Sequence, residues 1–146
     1  MRRVYFDNNA STPVDREVLE TMLPYFAETF GNASSIHSPG QQARKAVEHA
    51  REQVAALVGA RVAEITFTSG GTESDNLAIL GIVNADERPR KHIVTTQIEH
   101  SAVLQTCHAL EERGVEVTYL PVNADGLVDP ADVRKALRPE TVLISV

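Results

Sequence analysis

Tryptophan is absent from this chain, cysteine occurs once, and aromatic residues make up only 5% of it. The lone Cys107 excludes an intramolecular disulfide framework and a cysteine metal cluster. It falls in a helical pattern shortly after His100 and reads as a buried structural thiol rather than a nucleophile. Long apolar runs are also missing. Met1-Arg2-Arg3 is followed by Val4-Tyr5-Phe6 and then Asp7-Asn8-Asn9, so no signal peptide or membrane span is read and a cytoplasmic protein is expected. Nor is there an excess of positive charge. Fourteen Lys and Arg face 20 Asp and Glu for a net charge of -6, which argues against a nucleic-acid surface. The one basic cluster, Arg88 to Lys91, contains Pro89 and reads as a solvated loop. Internal repeats and low-complexity segments are absent.

What remains is ordinary for a soluble globular protein: 146 residues, 42% apolar and 23% charged. Two helices come first. Pro13-Val14-Asp15 leads into one with apolar Val18, Leu19, Met22 and Leu23, ending near Pro24 or slightly later. After a loop at Gly31-Asn32-Ala33-Ser34-Ser35, the spacing Ser38-Pro39-Gly40-Gln41 reads as a capping box opening a helix over 38–58. Its expected buried stripe is Ala43, Val47, Ala50, Val54, Leu57 and Val58, and Gly59 ends it.

From Glu64 the pattern alternates strand and helix, which is α/β architecture. Strands are expected at 64–68, 92–96, 115–120 and from 142, with helices at 72–84, about 100–113 and 130–137. Residues 1–60 form an N-terminal segment with two helices, and 61–146 the first part of an α/β domain. Thr141-Val142-Leu143-Ile144-Ser145-Val146 reads as a buried strand with nothing to cover it, so the expectation is a domain truncated within its central sheet. Ligands in open α/β sheets bind at the carboxyl ends of strands, and groups following this strand would line the site.

The densest chemical signal is Ser69-Gly70-Gly71-Thr72-Glu73-Ser74, between the expected strand 64–68 and the helix carrying Leu77, Ile79, Leu80, Ile82 and Val83. Glycines allow close backbone approach, and unpaired amides at a helix start favour an anion. Thr72 and Ser74 add hydroxyls. A P-loop would need lysine after the second glycine, and a dinucleotide fingerprint would need Gly-x-Gly-x-x-Gly; neither is present. A small phosphate site remains, beside the alternative of a glycine turn that binds nothing.

His100 follows strand 92–96 and so reaches the same carboxyl edge as Gly70 to Ser74. An imidazole there could stack on a flat phosphorylated cofactor and move protons near neutral pH, or it could simply start a helix and face solvent. His49 and His108 fall in helices, His92 opens a strand, and His37 lies in a loop.

Four motifs together resemble the NifS/IscS-like cysteine desulfurases. They are Tyr5-Phe6-Asp7-Asn8-Asn9-Ala10-Ser11-Thr12-Pro13, Gly31-Asn32-Ala33-Ser34-Ser35-Ile36-His37, Phe67 to Asn76, and Ile98-Glu99-His100. The resemblance implies the three-layer α/β/α large domain of the fold type I, class V aminotransferase superfamily, dependent on pyridoxal 5'-phosphate. It implies conversion of L-cysteine to L-alanine, with sulfur carried as a persulfide for iron–sulfur cluster assembly or thiolation. A homodimer and a sulfur-acceptor or Fe–S scaffold protein are the implied partners, and no metal site is implied.

By position, Gly71 and Thr72 would hold the cofactor phosphate, and His100 would stack on the pyridine ring as a candidate acid/base. Asp7 to Thr12 and Asn32 to His37 would lie nearby. The family's Schiff-base lysine, its aspartate for the pyridine nitrogen and its sulfur-accepting cysteine would all follow Val146. Lys45, Lys91 and Lys135 are poor substitutes, and the isolated chain is expected to be inactive. The alternatives are another class V enzyme, such as a selenocysteine lyase or an aminotransferase, and a non-catalytic binding or dimerisation module.

Overall fold

A computed structural model of the chain describes residues 4–146, and the Met1-Arg2-Arg3 start lies outside the described residues. The chain divides into two compact units, Met1–Thr66 and Phe67–Val146.

The first unit contains α1 (Arg16–Ala27) and α2 (Ser38–Val58). Asp15 caps α1 by accepting from the Glu17 amide at 2.8 Å. The helix runs through Pro24 and ends slightly later, as expected, where the amides of Glu28 and Thr29 both reach the Pro24 carbonyl. At α2 the expected capping box is corrected. His37, not Ser38, is the cap, its Nδ1 accepting from the Gly40 amide at 3.3 Å, while Gln41 donates to the Ile36 carbonyl. Glycine is required at 31 and 40, since a Cβ on Gly31 would strike the Pro39 carbonyl and one on Gly40 the carbonyls of Ser35 and Asn32. Gly59, at φ 67°, closes α2 as expected.

The expected buried stripe of α2 is only partly buried. Ala43 is enclosed, as is Ala55 outside the expected stripe, but Val47, Val54, Leu57 and Val58 are exposed, as are Val18, Leu19, Met22 and Leu23 of α1. An apolar helix face is buried only where another element packs on it, and α1 and α2 leave those faces uncovered within this unit.

The second unit holds α3 (Gly71–Ala85), β1 (His92–Thr96), α4 (Ser101–Glu111), β2 (Glu116–Leu120), α5 (Pro130–Ala136) and β3 (Thr141–Ile144). The sheet is fully parallel in the order β2-β1-β3. Ile93 pairs with Val117 and Leu143, and a register irregularity lies between His92 and Ile93 on the β3 side.

The expected strand at 64–68 is not a strand. A short 3-10 turn covers Val62–Glu64, and the residues after it join no ladder among the described residues. Alternation marks a strand-compatible sequence, but a strand exists only where a neighbour supplies the hydrogen bonds.

The core packs Ile79 and Val83 of α3 and Val103, Cys107 and Leu110 of α4 onto Ile93. Cys107 is fully buried, and burial followed by the Glu111 and Glu99 carboxylates pushes its thiol up, consistent with an inert structural role. Arg88 is held by Asp86 and the Pro139 carbonyl, Arg90 by Glu116, and Lys91 by the Val83 carbonyl, so the basic cluster is locally neutralised or satisfied.

His92 is a buried bridge across the sheet. Its Nδ1 and Nε2 each lie 2.9 Å from a threonine hydroxyl, Thr141 on β3 and Thr118 on β2. Burial first, then the Arg138 guanidinium, hold its pKa below the ordinary 6.5, against the opposing carboxylates of Glu116 and Glu140. Between the lowered value and 6.5 the unfolded chain takes up a proton that the folded chain resists. Stability present above pH 6.5 is therefore lost as pH falls through the folded value. Urea midpoints at pH 8 and pH 5 measure this, and His92→Gln should shrink the difference between them. An undiminished difference in that variant would refute the assignment.

Candidate functional site

Two helix starts meet at the carboxyl edge of the sheet. α3 runs back to the amino edge before the chain enters β1, and Lys91 ties that end by donating to the Val83 carbonyl at 2.6 Å. α4 begins directly after the turn that leaves β1. Both helices run antiparallel to the strand between them, so both amino-terminal ends lie where β1 ends.

At α3 the first intrahelical bond is Ser74 N to Gly70 O, at 3.1 Å. The amides of Gly71, Thr72 and Glu73 find no acceptor among the described residues, and neither does the Thr72 hydroxyl. Gly70 has extended backbone at φ 162°, and a Cβ added to Gly70 or Gly71 would meet no atom within 4 Å. Neither strain nor crowding within the chain demands glycine here. The glycines leave open space directly over unpaired donors.

Ser74 departs from the expectation that it offers a free hydroxyl, because its Oγ lies 2.6 Å from Thr68 Oγ1. Glu73 has a role the sequence did not reveal. Its Oε2 accepts from the Ser69 amide at 2.6 Å and from the Ser69 hydroxyl at 2.7 Å, folding the loop back on the helix. These bonds, the backbone one first, hold its carboxyl below the usual range.

His100 is the cap of α4. Its Nδ1 accepts from the Ala102 amide at 3.1 Å, so the neutral ring carries its proton on Nε2. The ring is exposed rather than enclosed by this chain. Thr72 on α3 and Ser101 and Ala102 on α4 line one groove of about 470 Å³. Thr72 is thus brought to one groove with the two residues that follow His100, while Gly71 and His100 themselves do not line it.

The remaining histidines are otherwise engaged. His37 caps α2, His49 lies 3.6 Å from Glu52, and His108 bonds Glu111 with Tyr119 against it. Asp7 to Thr12 and Asn32 to His37 belong to the first unit, where Ser11 Oγ meets Tyr5 OH and Asn32 Oδ1 accepts from the Ser34 amide. Among the described residues no cluster of three or more His, Cys, Asp or Glu could hold a metal, and no helix is long and apolar enough to cross a membrane.

The chain is 54% identical over 145 residues to the cysteine desulfurase IscS of Dictyoglomus turgidum, covering 99% of this chain and 37% of that protein. It is 57% identical to the IscS of an Anaeromyxobacter species, covering 98% of this chain and 36% of the relative. Among solved structures, a NifS-like protein superposes with a TM-score of 0.92 at 42% identity, over 98% of this chain and 39% of that one. SspA, solved in complex with cysteine, superposes with a TM-score of 0.89 at 45% identity, over 96% of this chain and 40% of its own. The chain therefore spans a little over a third of the length of these relatives. The aminotransferase class-V family model matches residues 4–146, essentially everything described, and this chain belongs to the class-V aminotransferase family.

Proposed function

We propose that this chain supplies the phosphate cradle and one ring-stacking wall of a pyridoxal 5'-phosphate-dependent cysteine desulfurase. The whole protein would convert L-cysteine to L-alanine and pass the sulfur on as a persulfide to an acceptor such as an Fe–S scaffold. The observation that carries the reading is the open, unpaired α3 start sharing a groove with the start of α4. Support for the substrate comes from relatives named cysteine desulfurase and from the cysteine bound to SspA.

The donor set fits a phosphate monoester. Gly71 and Thr72 would give amide hydrogens, Thr72 its hydroxyl, and the helix dipole adds favourable potential. His100, its Nδ1 fixed by Ala102, would present a ring face to the pyridine and hold a proton on Nε2. When bound, the cofactor supplies the electron sink for breaking the carbon–sulfur bond. No role as sulfur acceptor is assigned to buried Cys107, nor one as Schiff base to Lys91 or Lys135, which are bonded to the Val83 carbonyl and to Asp132. Self-association as a homodimer is part of the proposal, supported by the exposed apolar faces of α1 and α2.

The test is an NMR titration of the chain. Pyridoxal 5'-phosphate should shift the amides of Gly70 to Ser74 and the His100 ring protons with one shared dissociation constant, and pyridoxal without phosphate should bind at least about tenfold more weakly. Equal affinity for the two compounds, or shifts that leave out His100, would overturn the reading.

A further inference from the structure

One turn below each helix start, the two helices are joined by a polar clamp. Asn76, on the turn following Thr72, donates from Nδ2 to the Thr72 carbonyl at 2.8 Å. Its Oδ1 lies 2.8 Å from the hydroxyl of Thr106, which also lies 2.7 Å from the Ala102 carbonyl. Thr106 is only 5% exposed, and it sits on α4 beside the apolar Val103, Cys107 and Leu110. A hydroxyl there is not needed to fill the core, since valine has nearly its shape. What the hydroxyl adds is a link between Asn76 on α3 and the first turn of α4, whose Ala102 amide also orients His100.

The chain of bonds therefore runs from the cradle to the imidazole. The Thr72 carbonyl accepts from Asn76, and the one proton of the Thr106 hydroxyl is shared between the Asn76 amide oxygen and the Ala102 carbonyl. Packing alone fixes helices to within a rotamer hop. Directional hydrogen bonds between them fix axial position and rotation. Slippage of α3 along α4 by even an ångström would change the span from phosphate cradle to imidazole, and a rigid ligand tolerates such a change badly.

We infer that Asn76 and Thr106 are positioning residues that set the spacing between the Gly71–Thr72 cradle and His100. The inference rests on the cofactor reading above and deepens it. A ligand touching only the cradle should be indifferent to the clamp, whereas one reaching both helix starts should depend on it.

The experiment uses two probes, inorganic phosphate and pyridoxal 5'-phosphate, titrated by NMR into the chain and its variants. Asn76→Ala and Thr106→Val should each weaken pyridoxal 5'-phosphate binding roughly fivefold to tenfold, the scale of one lost hydrogen bond in a constrained site. Their affinity for inorganic phosphate should stay unchanged. The double variant should be no weaker than either single one, because both break the same link. Thr106→Ser, which retains the hydroxyl, should restore wild-type affinity.

Loss of affinity for both probes in parallel, or for neither, would overturn the positioning role, as would failure of the serine variant to restore binding. Wild-type chain that binds neither probe would overturn the cofactor reading and this inference with it. Wild-type chain that binds both, with variants that do the same, would overturn the clamp alone.

Discussion

Ile93→Ala is expected to lower the unfolding free energy of the second unit by about 2–5 kcal/mol, out of the 5–15 kcal/mol typical of a whole domain. Ile93 is wholly buried on the central strand of a three-stranded sheet, and both helices of the site pack on it through Ile79, Val83, Val103, Cys107 and Leu110. Alanine leaves a cavity that neither β2 nor β3 can close, because both are tied to β1 by parallel ladders. Ile93→Val should cost only about 0.5–1.5 kcal/mol. Urea denaturation followed by far-ultraviolet circular dichroism reads both. A midpoint for the alanine variant indistinguishable from that of the valine variant would show that the sheet and its helices are not one cooperative core. The consequence for the site is direct, since the same packing brings the starts of α3 and α4 to one groove.

The second large effect separates binding from folding at Gly71. Gly71→Ala should stabilise the chain slightly, by about 0.4–1 kcal/mol, because alanine lowers the entropy of the unfolded chain and no atom lies within 4 Å of the new Cβ. The same Cβ occupies the space over the unpaired amides. Affinity for pyridoxal 5'-phosphate should therefore fall by about tenfold or more, equivalent to about 1.4 kcal/mol. Thermal melting and the NMR titration are run on the same samples. Opposite signs of the two effects support a ligand as the reason for glycine at this position. A destabilised variant, or one that binds as well as the wild type, would point instead to a plain structural turn.

Much of the secondary structure was legible because local chemistry decides it. β1 at 92–96 and α2 at 38–58 follow from the β-branched run Ile93 to Thr96 and from a helical period closed by Gly59, and both occur with those bounds. The start of α5 follows from Asp129 as cap and Pro130 in the first turn, with Asp129 accepting from the Ala131 amide at 2.7 Å. Residues 64–68 did not follow their pattern. Alternation encodes compatibility with a sheet, and a strand also requires a neighbour that no local pattern supplies. The stripe of α2 failed in the same way, because periodicity names an apolar face without saying what covers it.

At the candidate site, the sequence alone determined the ingredients: two glycines and a threonine opening α3, and a histidine at the start of α4. The arrival of the two helix starts at one edge follows from helices that alternate with parallel strands. Only the tertiary structure decided which groups are free to act. Ser74 is spent on Thr68 and Glu73 on Ser69, while the amides of Gly71 and Thr72 remain unpaired. It also decided that Asn76 meets Thr106 and that His92 spans two strands. The reason is physical: the bonds of Asn76 and His92 join residues far apart in the chain and depend on positions set by the packed core as a whole, whereas Ser74 and Glu73 meet partners within six residues through the local path of the loop.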